Sequence, residues 1–155
     1  MDIQGERLLA VPRQLVWVSL FDTEVLRQSV PGCESAVRES DTLYRLVTVI
    51  AIGPLKVRFN GTLNIADAQA PETCTLQFQG QGGPAGMAKG TAQVQLQVTA
   101  EGTLLTYAAD AQISGKLAQV GSRLIESVAK KLSGVFFDNF EAALVPPAGE
   151  VVQVG

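Results

Sequence analysis

Enzyme chemistry needs side chains that move protons, attack or hold metals, and this sequence offers few. Its 155 residues include no histidine. That removes Ser-His-Asp and Cys-His catalytic arrangements, the commonest metal ligand and the usual titration near neutral pH. The two cysteines, Cys33 and Cys74, are too few for a disulfide framework or a four-cysteine zinc site, and they read as reduced, partly buried thiols. Glu34, Glu39 and Asp41 cluster around one turn as solvated charge, and Asp110 falls on the outer face of a strand. With no base or nucleophile assembled among them, no catalytic residue is expected, and no metal site.

The run Gly80-Gln81-Gly82-Gly83-Pro84-Ala85-Gly86-Met87-Ala88-Lys89-Gly90 is the most unusual stretch. Gly80, Gly82 and Ala85 match the spacing of a dinucleotide fingerprint. That pattern must open a helix, and here a strand follows. Lys89-Gly90 lacks the Ser or Thr of a phosphate loop. The run is either a plain hairpin loop or a mobile flap with Met87 as its apolar contact. Lys116, Arg123 and Lys130 fall seven apart, with Lys131 beside the last. They form a solvated helix face or a weak patch for an anionic surface or acidic partner.

The elements that would position these groups are legible from periodicity. Ile3–Val11 is a strand, and Pro12 suits the first turn of a helix reaching Phe21. Asp22 caps a second short helix that stops before Pro31-Gly32. Strands follow at Cys33–Arg38 and Leu43–Ile52. Residues 55–66 alternate, with Leu55, Val57, Phe59, Gly61, Leu63 and Ile65 on one face. Leu76 and Phe78, then Val94, Leu96 and Val98, then Leu105, Tyr107, Ala109, Ala111 and Ile113 share faces of later strands. From Gly115 the spacing turns helical and predicts one long amphipathic helix ending near Leu144. Phe136, Phe137 and Phe140 cannot share one side of it, so at least one is expected near the surface or under the tail. The sum is an α+β fold, with a curved antiparallel sheet of about seven strands around one C-terminal helix. Residues 1–144 form one domain and 145–155 a short tail.

Composition fits a globular chain. Charged residues are only 17% and the formal net charge is −3, which argues against nucleic acid as a partner. Mean hydropathy is +0.20. The first residues lack the basic start and apolar run of a signal peptide, and no stretch reaches the length of a membrane span.

The interior holds the better lead. A sheet curled around one helix leaves space unless large side chains fill it, and Ala109, Ala111 and Gly61 face that space. They permit either close helix packing or an apolar cavity. The walls of such a cavity would come from Trp17, Leu26, Val57, Phe59, Leu63, Phe78, Leu96, Tyr107, Leu124 and Val128, with Met87 above and Ala109 leaving room. Tyr107 would orient a polar head. No charged residue joins these faces, so a ligand would be neutral and greasy.

Several segments together are similar to a known family. Ala10-Val11-Pro12-Arg13-Gln14-Leu15-Val16-Trp17 leads into Asp22-Thr23-Glu24-Val25-Leu26, then Val30-Pro31-Gly32-Cys33-Glu34-Ser35. Gly53-Pro54-Leu55-Lys56-Val57-Arg58-Phe59-Asn60-Gly61, the glycine run and Gly121-Ser122-Arg123-Leu124-Ile125 follow. Over about residues 2–143 the chain resembles the carbon monoxide dehydrogenase CoxG family, of the helix-grip superfamily also called START-like or SRPBCC. The resemblance implies a sheet gripping the C-terminal helix over a hydrophobic pocket. It implies a cytoplasmic protein, peripheral at the inner face of the membrane, that binds lipid or quinone non-covalently and requires no other cofactor. It also implies association with a molybdenum hydroxylase complex, as carrier or membrane-recruitment adaptor. It brings no catalytic residues. The tail from Val145 is too short to span a membrane, which favours pocket binding over anchoring. Two other readings remain open at this point, a protein–protein assembly factor without ligand and a cyclase-like enzyme.

Overall fold

The computed structural model describes residues 1–144. Seven strands form one antiparallel sheet, β1 (Asp2–Leu9), β2 (Cys33–Arg38), β3 (Leu43–Ile52), β4 (Leu55–Gln69), β5 (Thr73–Gln81), β6 (Met87–Thr99) and β7 (Gly102–Ser114). Their order is β1-β7-β6-β5-β4-β3-β2. Six strands follow chain order, because short turns force neighbours together. The first strand closes the opposite edge by pairing with the last, Asp2 opposite Asp110 through Leu9 opposite Thr103.

Between β1 and β2 lie α1 (Arg13–Leu20) and α2 (Thr23–Ser29). Pro12 precedes α1 as its N-cap rather than entering the first turn. Asp22 caps α2 as its residue type predicts, accepting from the backbone N–H groups of Glu24 and Val25 at 2.9 and 3.0 Å. The long helix, α3 (Ser122–Leu144), starts seven residues later than the apolar spacing predicts. Gly115–Val120 forms a 3₁₀ turn instead, and Gly121 at φ +101° breaks the chain direction before the helix begins. Leu117 is still buried, so the apolar spacing continues across the break while the backbone does not.

The helices cover the sheet's inner face. Tyr44 on β3 is fully buried and its hydroxyl donates to the Phe21 carbonyl at 2.7 Å, fixing the end of α1 to the sheet. Arg7 faces inward on edge strand β1, where its guanidinium donates to Asp138 and Glu141 of α3. This charged residue on an inward face clamps the helix and lines no cavity. Two buried clusters result. A large one unites Leu9, Val16, Trp17, Leu96, Leu105, Phe137 and Phe140, and a small one unites Ile52, Val57, Phe59 and Leu117. The turn carboxylates are spent on the surface, where Glu34 pairs with Arg58, Glu39 with Arg45 and Asp41 with Arg38.

Among the described residues no helix is long and apolar enough to cross a membrane. The proline stop at 146–147 and the tail lie outside the described residues.

Candidate functional site: an apolar cavity under the long helix

The strand register explains why the sheet and α3 do not meet at the centre. One row across the inner face runs Leu46, Gly61, Gly80, Ala88, Ile113. Three neighbouring positions in that row carry at most one carbon. The adjacent row runs Tyr44, Leu63, Phe78, Gly90, Ala111. There the Phe78 ring lies across Gly90, so close that a Cβ at residue 90 would come within 2.5 Å of Cζ. In the first row the Phe59 ring leans over Gly80, but no side chain would lie within 4 Å of a Cβ at Gly61, so space stays open there.

Above that row of small residues lies a cavity of about 470 Å³. Ile125, Val128, Ala129, Leu132 and Phe136 of α3 form its roof, and Phe21, Leu26 and Val30 close it beside the short helices. β3 contributes Leu46, Thr48, Ile50 and Ile52. Among the described residues no Asp, Glu, Lys or Arg lines it. That volume falls in the range of small-molecule sites, and such walls favour neutral, apolar occupants. A second hollow, of about 590 Å³, lies over β1, β6 and β7 and is bordered by Gln4, Glu6, Gln93 and Gln95. All four are exposed, so it is a surface groove despite its size.

Of the residues predicted as walls, Leu26, Phe59, Leu63, Phe78 and Val128 do line the cavity. The others are displaced for identifiable reasons. Trp17 packs edge-on against Phe21 at 5.1 Å, and Phe21 supplies the wall in its place. Val57 belongs to the small core cluster, against the Gly82 turn. Leu96 lies in the large cluster, 1% exposed. Leu124 packs over the turn at Gly53, and Ile125 takes the wall.

Tyr107 orients nothing in the cavity. Its ring stacks on Phe137 at 5.4 Å and its hydroxyl lies over Gly5. Ala109 is on the inner face but one rung away, in the row Ile65, Leu76, Ala92, Ala109, Ile3; Ala111 is the small residue that faces the space. Phe136 is the unexpected wall. Helical spacing places one aromatic near the surface or under the tail, yet Phe137 and Phe140 are buried and Phe136 turns into the cavity.

The glycine run is neither flap nor long loop. β5 continues to Gln81 and β6 begins at Met87, leaving one 3₁₀ turn at Gly83–Ala85. The Gly82 N–H donates to the Gly86 carbonyl at 2.7 Å. A Cβ at Gly86, which has φ +111°, would meet the Ser114 carbonyl at 2.1 Å, so the turn is pressed against the end of β7. Met87 pairs with Gln81 on the outer face and contacts the Gln79 amide; Ala88 faces inward.

The two thiols stand apart from the cavity, and both are free. Burial pushes Cys74 up to about 11. It also raises Cys33, whose Sγ lies 3.3 Å from the Ser35 carbonyl. Among the described residues no group of acidic or thiol side chains could hold a metal ion.

Compared with known families, the chain matches CoxG, a family named for a subunit of carbon monoxide dehydrogenase, over residues 5–145. The chain belongs to the CoxG family. Among solved structures, this CoxG-family chain is similar to a conserved protein from Geobacillus kaustophilus, with 28% identity and a TM-score of 0.86, covering 93% of this chain and 95% of that one. Ara h 8.0201 matches at 15% identity and TM-score 0.66, over 93% and 97%. The Zhui aromatase/cyclase from Streptomyces sp. R1128 matches at 11% identity and TM-score 0.64, over 93% of each chain. The last two likenesses show the fold, which is helix-grip. Among curated proteins none matches.

Proposed function

We propose that this CoxG-family protein is a non-enzymatic binding protein for a neutral, largely hydrocarbon molecule held between α3 and the sheet. The observation that carries this is the 470 Å³ cavity walled by aliphatic and aromatic side chains and free of charged ones. Empty apolar space of this size is a standing cost to stability, which a matching ligand removes. The non-enzymatic reading is supported by the walls themselves, where no side chain is an acid or base.

The family membership supports a finer reading. The ligand is an isoprenoid quinone or lipid. The protein carries it, or recruits a molybdenum hydroxylase of the carbon monoxide dehydrogenase type to the cytoplasmic face of a membrane. Lys116 before α3 and Arg123, Lys130 and Lys131 on it are exposed, with Lys130 paired to Glu126 at 3.4 Å, and they supply a basic face for a partner or an anionic surface.

Native purification, organic extraction and mass spectrometry test the reading. A quinone or lipid at near one per chain is expected. A protein that emerges empty and also fails to take up quinones and lipids added in excess would overturn it.

A further inference from the structure

We infer that Thr48 is the hydrogen-bonding anchor of the cavity, and that the ligand carries a neutral carbonyl oxygen within an otherwise hydrocarbon skeleton. This rests on the ligand-binding reading above. β3 turns Leu46, Thr48, Ile50 and Ile52 to the cavity, and Thr48 alone of these is polar. It sits opposite Phe59 on β4 and Cys33 on β2, at mid-strand.

Two more polar residues border the cavity, Thr62 and Gln79, but their side chains belong to the other face. They pair with each other, Thr62 also with Arg45 and Gln79 with Lys89, and the Gln79 amide contacts the Met87 sulfur on that outer side. Among the described residues, Thr48 is therefore the one polar side chain that the sheet turns into this space.

Among the described residues the buried hydroxyls of Ser29 and Thr99 lack a partner, but neither residue lines the cavity, and other partly buried hydroxyls are satisfied within the protein. Thr75 donates to Gln93, Thr103 to the Val11 carbonyl and Ser133 to the Ala129 carbonyl. The Thr48 hydroxyl has no such bond among the described residues. Valine has the same shape and would avoid an unpaired hydroxyl against hydrocarbon. The proton that Thr48 offers calls for an acceptor from the occupant. A carbonyl fits better than a ligand hydroxyl, which would bring a second proton into a cavity with no other inward side-chain acceptor. A carboxylate is disfavoured, since among the described residues no Lys or Arg lines the walls and the Met1 ammonium is already engaged by the Ala111 carbonyl at 2.9 Å and by Asp110 at 3.6 Å.

The test displaces Nile red from the full chain with acetylnaphthalene and with its hydrocarbon counterpart isopropylnaphthalene. Wild type, Thr48→Val and Thr48→Ser are compared, so that the coupling between hydroxyl and carbonyl is read as a cycle. Thr48→Val should weaken acetylnaphthalene about 3- to 10-fold, leave isopropylnaphthalene within about twofold, and be rescued by Thr48→Ser. Thr48→Ala supplies the same contrast if valine disturbs the strand. Equal effects on both ligands, or none on either, would overturn the anchor and leave the binding reading standing. If neither ligand nor Nile red binds wild type, the binding reading falls and takes the anchor with it.

Discussion

Gly61→Leu should close the cavity and stabilise the protein while it abolishes ligand uptake. Gly61 sits in the row of small residues, beside Leu46, and a Cβ there would meet only the Gln79 and Leu46 carbonyl oxygens at 3.5 and 3.6 Å, ordinary contacts. The new side chain therefore has room to project into the space. Its four carbons occupy roughly 100 Å³ at interior packing density. That is a substantial part of 470 Å³. At about 24 cal/mol per Å³ the gain is up to about 2.4 kcal/mol, and removing a strand glycine adds about 0.5 kcal/mol. Part of this is lost to fixing the leucine rotamer. A net gain of about 1–2 kcal/mol raises Tm by about 2–8 °C in a domain of this size. Calorimetry and Nile red titration follow both effects across the series Gly61→Ala, Gly61→Val, Gly61→Leu. Stability should climb and affinity fall in step with added volume. A Gly61→Leu protein that still binds the dye as wild type does, or that melts lower, would refute the placement of the empty space.

Three further outcomes follow from the packing. Tyr44→Phe leaves the partly buried Phe21 carbonyl without its donor, so about 1 kcal/mol of stability should be lost in chemical denaturation. Because Phe21 is a wall, dye affinity should fall as well. Arg7→Met should cost no more than about 1 kcal/mol, because Asp138 and Glu141 are partly exposed, and the difference from wild type should shrink at high salt. Burial holds Cys74 protonated up to about 11 against an ordinary 9.0, so the unfolded chain releases that proton first as pH rises. The thiol's contribution is thus intact below pH 9 and lost as pH climbs through 11, worth up to about 3 kcal/mol. Melting temperatures of wild type should drop more steeply across that window than those of Cys74→Val, and parallel curves would count against the burial.

Much of the fold is legible because the strands with one wet face keep a strict period of two. Leu55, Val57, Phe59, Leu63 and Ile65 announce both β4 and its inner side, and three of the residues that alternation picks out, Phe59, Leu63 and Phe78, are true walls. β3 is different. Its run from Leu46 to Ile52 is apolar at nearly every position, so only the pairing with β4 reveals that Leu46, Thr48, Ile50 and Ile52 point inward. The pairing of β1 with β7 joins residues about a hundred positions apart and leaves no local trace. Gly115–Val120 keeps the apolar spacing on a 3₁₀ rather than an α-helical backbone, which hid the true start of α3 and with it the choice of Ile125 over Leu124.

The glycine run carries the clearest lesson. As a linear string it suggests a loop, but cross-strand partners extend β5 and β6 through most of it. Its small residues Gly80 and Ala88 matter for what they leave unfilled on the inner face. Phe136 shows the same effect of context. Of two adjacent phenylalanines, Phe137 faces the core and Phe136 the cavity beside it, so neither needs the surface.

The most direct test of the central claim is a crystal structure of the full chain grown with the molecule that co-purifies with it, or with acetylnaphthalene if none does. The account predicts density for the ligand between α3 and the row Leu46, Gly61, Gly80, Ala88, Ile113, with its oxygen toward Thr48. Density confined to the surface groove at Tyr107, or α3 collapsed onto that row with no space left, would contradict it.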